Sequence, residues 1–222
     1  EDAREAIAAL LGADLRGPQA DRLIFTGTAT EANNLALLGA AAAQTASQHL
    51  VISSIEHQSV IEPAEKLLER GWRLDTLPVS SDGIASVDAL PGLLRPETKL
   101  VSVLLGNHET GVLQPVAELA NVCRDYRLLF HTDAVQAAGV LPIDVSNMNI
   151  DMLSVSAHKF YGPKGVGLLY IRKGVALARL LQGGGQERKR RAGTENVPLI
   201  AGMAEALRLA YRNADRENRR LV

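Results

Sequence analysis

Lys159 sits where a lysine can do covalent chemistry. It lies in Ser154-Val155-Ser156-Ala157-His158-Lys159-Phe160-Tyr161-Gly162-Pro163-Lys164-Gly165, directly after a short apolar run that reads as a strand. An amine held there can form an imine with a carbonyl cofactor if its surroundings free it of its proton; the ordinary reading of a lysine is a solvated surface cation. Its neighbours favour the first reading, because Ser156 and His158 supply donors suited to a phosphate. Asp133, 26 residues earlier (159 − 133), follows the run Leu128–Thr132. A carboxylate at a strand end can keep a pyridine nitrogen protonated and so make the ring an electron sink. It can equally cap a short helix beginning at Ala134, or do both.

Other polar residues fall at similar junctions. Thr26-Gly27-Thr28-Ala29-Thr30-Glu31 reads as strand, turn and helix start, where free backbone N–H groups and the helix dipole bind phosphate; Thr28 or Thr30 can also be a plain cap. His57, in Ile55-Glu56-His57-Gln58, is an imidazole at a strand-to-helix turn. It can stack on a cofactor ring and act as an acid or base near neutral pH, or be structural. Gln136 lies three residues beyond Asp133 and is expected on the same side of a helix's opening turn, within reach of a ring hydroxyl; the alternative is a surface glutamine. Gly183-Gly184-Gly185-Gln186-Glu187-Arg188 and Arg191-Ala192-Gly193-Thr194-Glu195-Asn196 form a polar, Gly-rich loop. Its basic residues and amides suit an anion, or it is solvated.

The elements that must carry these residues are short apolar runs alternating with helix-period segments. Strands are expected at Leu23–Thr26, His49–Ser53, Arg73–Pro78, Lys99–Leu105, Leu128–Thr132, Met152–Ser156 and Val166–Ile171. Helices are expected at Thr30–Ala43, Val60–Arg70, Ser86–Leu94, Pro115–Tyr126 and about Pro198–Arg216. That alternation predicts an α/β fold, one domain built on a buried, mostly parallel seven-stranded sheet between helices. Ligands of such sheets bind beyond the carboxyl ends of the strands, where the polar residues above fall almost one per strand.

Composition narrows the function classes. The chain has 222 residues, 46% hydrophobic, with a net charge of −1. Nothing in that charge argues for a nucleic-acid surface, and no run approaches the ~18 apolar residues of a membrane span. The single cysteine, Cys123, leaves no internal disulfide or cysteine-based metal cluster and fits a reducing, cytoplasmic setting. Both chain ends fall inside helical patterns, which reads as a fragment of a longer protein.

Taken in order, the motifs resemble the cysteine desulfurases of the NifS/IscS type, within the class-V aminotransferase group of fold-type-I pyridoxal-phosphate (PLP) enzymes. The strings carrying the resemblance are Phe25–Asn34, Glu56-His57, Asn107-His108-Glu109-Thr110-Gly111, His131-Thr132-Asp133-Ala134-Val135-Gln136, Ser156–Gly165, Gly183–Arg188 and Arg191–Asn196. The resemblance implies PLP as cofactor, with Lys159 as the Schiff-base lysine and Asp133 at the pyridine nitrogen. It implies His57 stacked on the ring, Gln136 at the 3-hydroxyl, and Ala29, Thr30, Ser156 and His158 at the phosphate. Thr194 would reach the phosphate of the other subunit of a homodimer. It further implies L-cysteine as substrate, with alanine released and the sulfur passed on as a persulfide to an acceptor or iron–sulfur scaffold protein, or to thiocofactor assembly. No metal, nucleic acid or membrane partner is implied.

Two departures from the family pattern stand out. His108 replaces a second Asn after Asn107, which leaves its cofactor contact open, and Ala157 stands where Gly is common. On the resemblance, residues 1–222 are the PLP-binding large domain without the N-terminal segment and the C-terminal small domain, where the persulfide-forming cysteine lies. Cys123, among apolar residues of an expected helix, reads as a buried, inert thiol. Selenocysteine lyase is the nearest alternative activity, and a PLP-fold fragment without turnover is the alternative of another class.

Overall fold

The computed structural model describes residues 1–46 and 48–221. Seven strands form one sheet: β1 (Arg22–Thr26), β2 (His49–Ser53), β3 (Arg73–Leu77), β4 (Thr98–Ser102), β5 (Leu129–Asp133), β6 (Met152–Ser156) and β7 (Gly167–Ile171). Their order is β1-β7-β6-β5-β4-β2-β3. Pairing is parallel from β3 through β6, whereas β7 runs antiparallel to both of its neighbours, β1 and β6. Six strands therefore end on one rim, and β7 begins there.

Alternation along the strands sorts side chains onto two faces. Leu23, Phe25, Val51, Val101, Phe130, Leu153, Val155 and Leu168 join one apolar cluster, which also takes in Ile7, Leu119 and Leu207 from helices. Ile24, Leu50, Ile52, Leu100, Met152 and Leu169 join a second cluster with Leu35, Ala36, Val60 and Leu67. Helices α2 (Ala29–Ala42) and α3 (Gln58–Leu68) thus cover one face. Helices α1 (Asp2–Leu11), α5 (Val116–Asp125) and α7 (Val197–Leu221) cover the other. The short turns α4 (Leu90–Leu93) and α6 (Gln186–Lys189) complete the helices. Among the described residues no helix is long and apolar enough to cross a membrane.

All seven expected strands are present, with three instructive differences at their edges and connections. Residues 103–105 leave the regular ladder while still donating from Val103 and Leu105 N–H to the carbonyls of His131 and Asp133. The helix expected over Ser86–Leu94 shrinks to one turn, because Pro91 lacks a donor and Gly92 opposes helix formation. No helix begins at Ala134: Asp133 is the last residue of β5, and residues 134–138 form a single tight turn.

One close approach fixes the rim. A Cβ on Gly167, at the start of β7, would lie 2.5 Å from the carbonyl carbon of Thr28 and 2.8 Å from the N of Ala29. Only a glycine lets the first turn of α2 settle against the sheet. Gly167→Ala is therefore expected to displace that turn and to destabilise the fold by about 1–3 kcal/mol, the usual cost of overpacking. Urea unfolding of the two proteins measures it, and equal midpoints would contradict the packing described.

Candidate active site

The helix start at the rim resembles a capping box, with the N3 carboxylate reaching one residue further back than the N-cap. Thr28 is the N-cap of α2, its Oγ1 accepting from Glu31 N at 3.1 Å, while Glu31 Oε2 accepts from Gly27 N at 2.7 Å. Arg191 Nε holds Glu31 Oε1 at 2.8 Å. Of the two threonines, Thr28 is thus the cap, and Thr30 is left exposed. The N–H groups of Ala29 and Thr30 have no protein acceptor among the described residues, as expected for the first turn of a helix.

Across the rim, Lys159 is exposed in a 3-10 turn, Ala157–Phe160, that follows β6 directly. Ser156 Oγ lies 2.9 Å from His158 Nδ1. Burial, with Lys159 and Lys164 nearby, lowers the His158 pKa. Asp133 is buried, with Oδ1 accepting from Val135 N at 2.9 Å and Oδ2 from Asn33 Nδ2 at 2.7 Å. Burial nonetheless raises its pKa, an effect opposed by those two donors and by His57 and His108. His57 is the N-cap of α3, its Nδ1 accepting from Ser59 N at 3.0 Å. The His57 and His108 rings meet edge to face with centroids 5.2 Å apart.

These side chains converge. One cavity of about 310 Å3 is lined by Ala29, Thr30, His57, His108, Asp133, Gln136, Ser156, His158 and Lys159, together with Thr28, Ser59, Leu104, Gly106 and Val135. Asp133 and Lys159 therefore share one side of the rim. Gln136 reaches the cavity from a tight turn, not from the helix expected there. Thr194 does not line the cavity; it is exposed, in the loop after Gly193. His108 sits inside the cavity, whereas Asn107 is turned into the protein, donating to Ile55 O and accepting from the N–H groups of Glu109 and Thr110. A larger, mainly apolar groove of about 610 Å3 also touches Lys159, but it runs along α7 and lacks the converging polar groups.

Sequence reasoning assigned no role to several residues that shape this site. Asn33 and Ser59 bridge Asp133 and His57, and Asn33 lies 100 positions from Asp133, a separation no local pattern reveals. Glu56 is buried beside His57, with Oε1 taking the Ser53 hydroxyl at 2.5 Å and Leu104 N at 2.9 Å. The polar loop is not simply solvated. Glu187 is 3% exposed and takes Phe25 N and both Arg4 guanidinium nitrogens at 3.0 Å. Cys123 is buried in α5, and burial drives its thiol strongly toward the protonated form. Among the described residues no group of three or more His, Cys, Asp or Glu is placed to hold a metal ion.

Burial raises the Glu56 pKa to about 8 from an ordinary 4.5. Between these values the folded protein keeps a proton that the unfolded chain releases, so this group makes stability fall as pH rises from about 4.5 to about 8. Glu56→Gln cannot release that proton. Its stability relative to the parent is expected to rise across that window by on the order of 1 kcal/mol per pH unit. Denaturant unfolding at pH 5, 6.5 and 8 tests this (roughly the span of the window), and a difference independent of pH would contradict it.

Known proteins are similar to this chain in sequence and in fold. The aminotransferase class-V family matches residues 1–220. The chain is 46% identical over 223 residues to the cysteine desulfurase IscS of Dictyoglomus turgidum, covering 100% of this chain and 55% of that protein. It is 43% identical over 224 residues to the cysteine desulfurase of Rattus norvegicus, covering 100% of this chain and 49% of the relative. Among solved structures, a NifS-like protein superposes with a TM-score of 0.90 at 38% identity, over 97% of this chain and 58% of the other. SspA in complex with cysteine gives 0.86 at 41%, over 93% and 59%. The chain spans about half the length of the curated relatives it matches. It belongs to the aminotransferase class-V family, and the relatives it resembles within that family are cysteine desulfurases.

Proposed function

We propose that residues 1–222 form the PLP-binding large domain of a cysteine desulfurase acting on L-cysteine. The observation that carries this reading is the convergence on one cavity of an exposed lysine, a buried carboxylate, three imidazoles and a helix start with free N–H groups. The donor set fits the cofactor. Asp133 is a desolvated carboxylate with two N–H partners among the described residues, and a protonated ring nitrogen beside it would offset the effect of burial on its pKa. The cavity is of a size for one small aromatic ring with its substituents.

In this reading Lys159 supplies the amine that attaches the cofactor. Asp133 would hold the proton on the pyridine nitrogen, and His57 would pack against the ring. Gln136 would serve the 3-hydroxyl. The N–H groups of Ala29 and Thr30 would hold the phosphate with Ser156 and His158. Thr194, exposed and outside this cavity, suits the phosphate of a second subunit. His108, whose ring meets that of His57 edge to face, would add a further imidazole to the wall around the ring. When bound, PLP supplies the electron sink that weakens bonds at the substrate's amino-bearing carbon and, through it, the bond to sulfur. Cys123 is too deeply buried and too strongly held as a thiol to receive that sulfur. The sulfur passes instead to another thiol and onward to an acceptor or iron–sulfur scaffold protein.

Mixing the chain with PLP is expected to give the visible absorbance of a lysine-bound cofactor, and L-cysteine is expected to change it. Lys159→Ala is expected to abolish the band. Absence of the band in the parent chain overturns the cofactor assignment, and a band indifferent to L-cysteine overturns the substrate.

A further inference from the structure

Asn33 lies in α2, and its side chain is 0% exposed. Its Nδ2 donates to Asp133 Oδ2 at 2.7 Å and to Ser59 Oγ at 2.8 Å, so both amide protons are used. Ser59 Oγ in turn lies 2.8 Å from His57 Nδ1. That same ring nitrogen accepts the Ser59 backbone N–H at 3.0 Å. A ring nitrogen that accepts a backbone N–H has its lone pair committed, so the neutral imidazole carries its proton on Nε2. Asn33 takes one of the two lone pairs of the Ser59 hydroxyl, whose proton shares the Nδ1 acceptor with the Ser59 backbone N–H as a second donor. No hydrogen bond engages His57 Nε2 among the described residues.

We propose that Asn33 is a positioning residue of the ring site. Its single amide nitrogen ties the Asp133 carboxylate on β5 to the Ser59–His57 pair at the start of α3. The Ser59 backbone N–H holds His57 as the Nε2–H tautomer, its one donor turned away from α3 and toward the cavity, and the Asn33 link keeps that pair beside Asp133. Three elements far apart in sequence, β5, α2 and α3, are locked by a four-residue chain of hydrogen bonds, so the carboxylate and the imidazole cannot reorient independently. The use of this arrangement rests on the PLP reading above; its geometry does not. The charged and titratable groups facing the chain are His108 and Glu56, each of which interacts with Asp133, and Lys159 and His158, which line the same cavity. His108 also contacts the His57 ring.

The test is NMR of the chain without cofactor, reading the imidazole nitrogens of His57 and the side-chain carboxyl carbon of Asp133 across pH. The parent is expected to show the Nε2–H pattern for His57. Asn33→Leu removes a donor to the ionised carboxylate and is expected to move the Asp133 midpoint up by about one pH unit. Ser59→Ala keeps the Asn33–Asp133 bond and is expected to leave that midpoint at the parent value. Asn33→Ala, which leaves a void and cannot clash, gives the same reading if the leucine variant does not fold. An Nδ1–H or mixed His57 tautomer in the parent overturns the proposal. So does an Asp133 midpoint that Asn33→Leu and Asn33→Ala leave in place, or one that Ser59→Ala moves equally. The PLP absorbance of the same samples separates the two claims, because a parent chain with the expected tautomer but no band contradicts the cofactor reading alone.

Discussion

Asp133 is a carboxylate taken out of water, and the rim of the sheet is organised around that fact. Burial disfavours its charged form, and two N–H donors, from Val135 and Asn33, partly compensate. A buried carboxylate so placed gains most from a cation brought against it. The cavity that Asp133 lines, walled by Lys159 and the paired imidazoles, offers such a cation a way in. Through Asn33 the same carboxylate is linked to Ser59 and His57, which joins the end of β5 to the starts of α2 and α3.

Other parts of the structure hold that rim in place. Gly167 lets α2 approach β7, and the capping box sets where the free N–H groups of Ala29 and Thr30 point. The Gly-rich loop is pinned twice, by Glu187 to Arg4 and the backbone of β1 and by Arg191 to Glu31 of the capping box. Between these pins Glu187, Arg188 and Lys189 have φ of 43°, 55° and 63°, a left-handed run that non-glycine residues adopt only under constraint. The buried Glu187 carboxylate, held by a bidentate guanidinium, is the constraint. In this way the loop carrying Thr194 is joined mechanically to the helix start beside the cavity.

Much of this was legible in the sequence because strand runs such as His49–Ser53 and Met152–Ser156 are continuous apolar stretches, and polar residues collect just past them. The rule that ligands bind at carboxyl ends of strands marked the rim, and the family resemblance named the residues on it; nine of the ten line one cavity, and the exception, Thr194, was expected at a second subunit's site. What was not legible depended on contacts between distant segments or on backbone detail. Asn33 reads as one more helix asparagine until the fold brings it to Asp133. Gln136 was expected on a helix, and a helix at Ala134 was plausible from the Asp133 cap alone. The chain instead closes a single turn there, with Ala137 and Ala138 both donating to Ala134 O. His108 looked doubtful beside Asn107 in sequence, yet the loop turns Asn107 inward to bond its own backbone and leaves His108 facing His57.

The central claim, that one amine of this chain is presented to a ring held by Asp133, is tested most directly by trapping. The chain incubated with PLP is reduced with borohydride, digested, and the modified lysine located by mass spectrometry. The account predicts a phosphopyridoxyl group on Lys159 and its loss from that site when excess substrate-like amine competes. Modification spread over Lys66, Lys99, Lys164, Lys173 or Lys189, with Lys159 no more reactive than these, would contradict it.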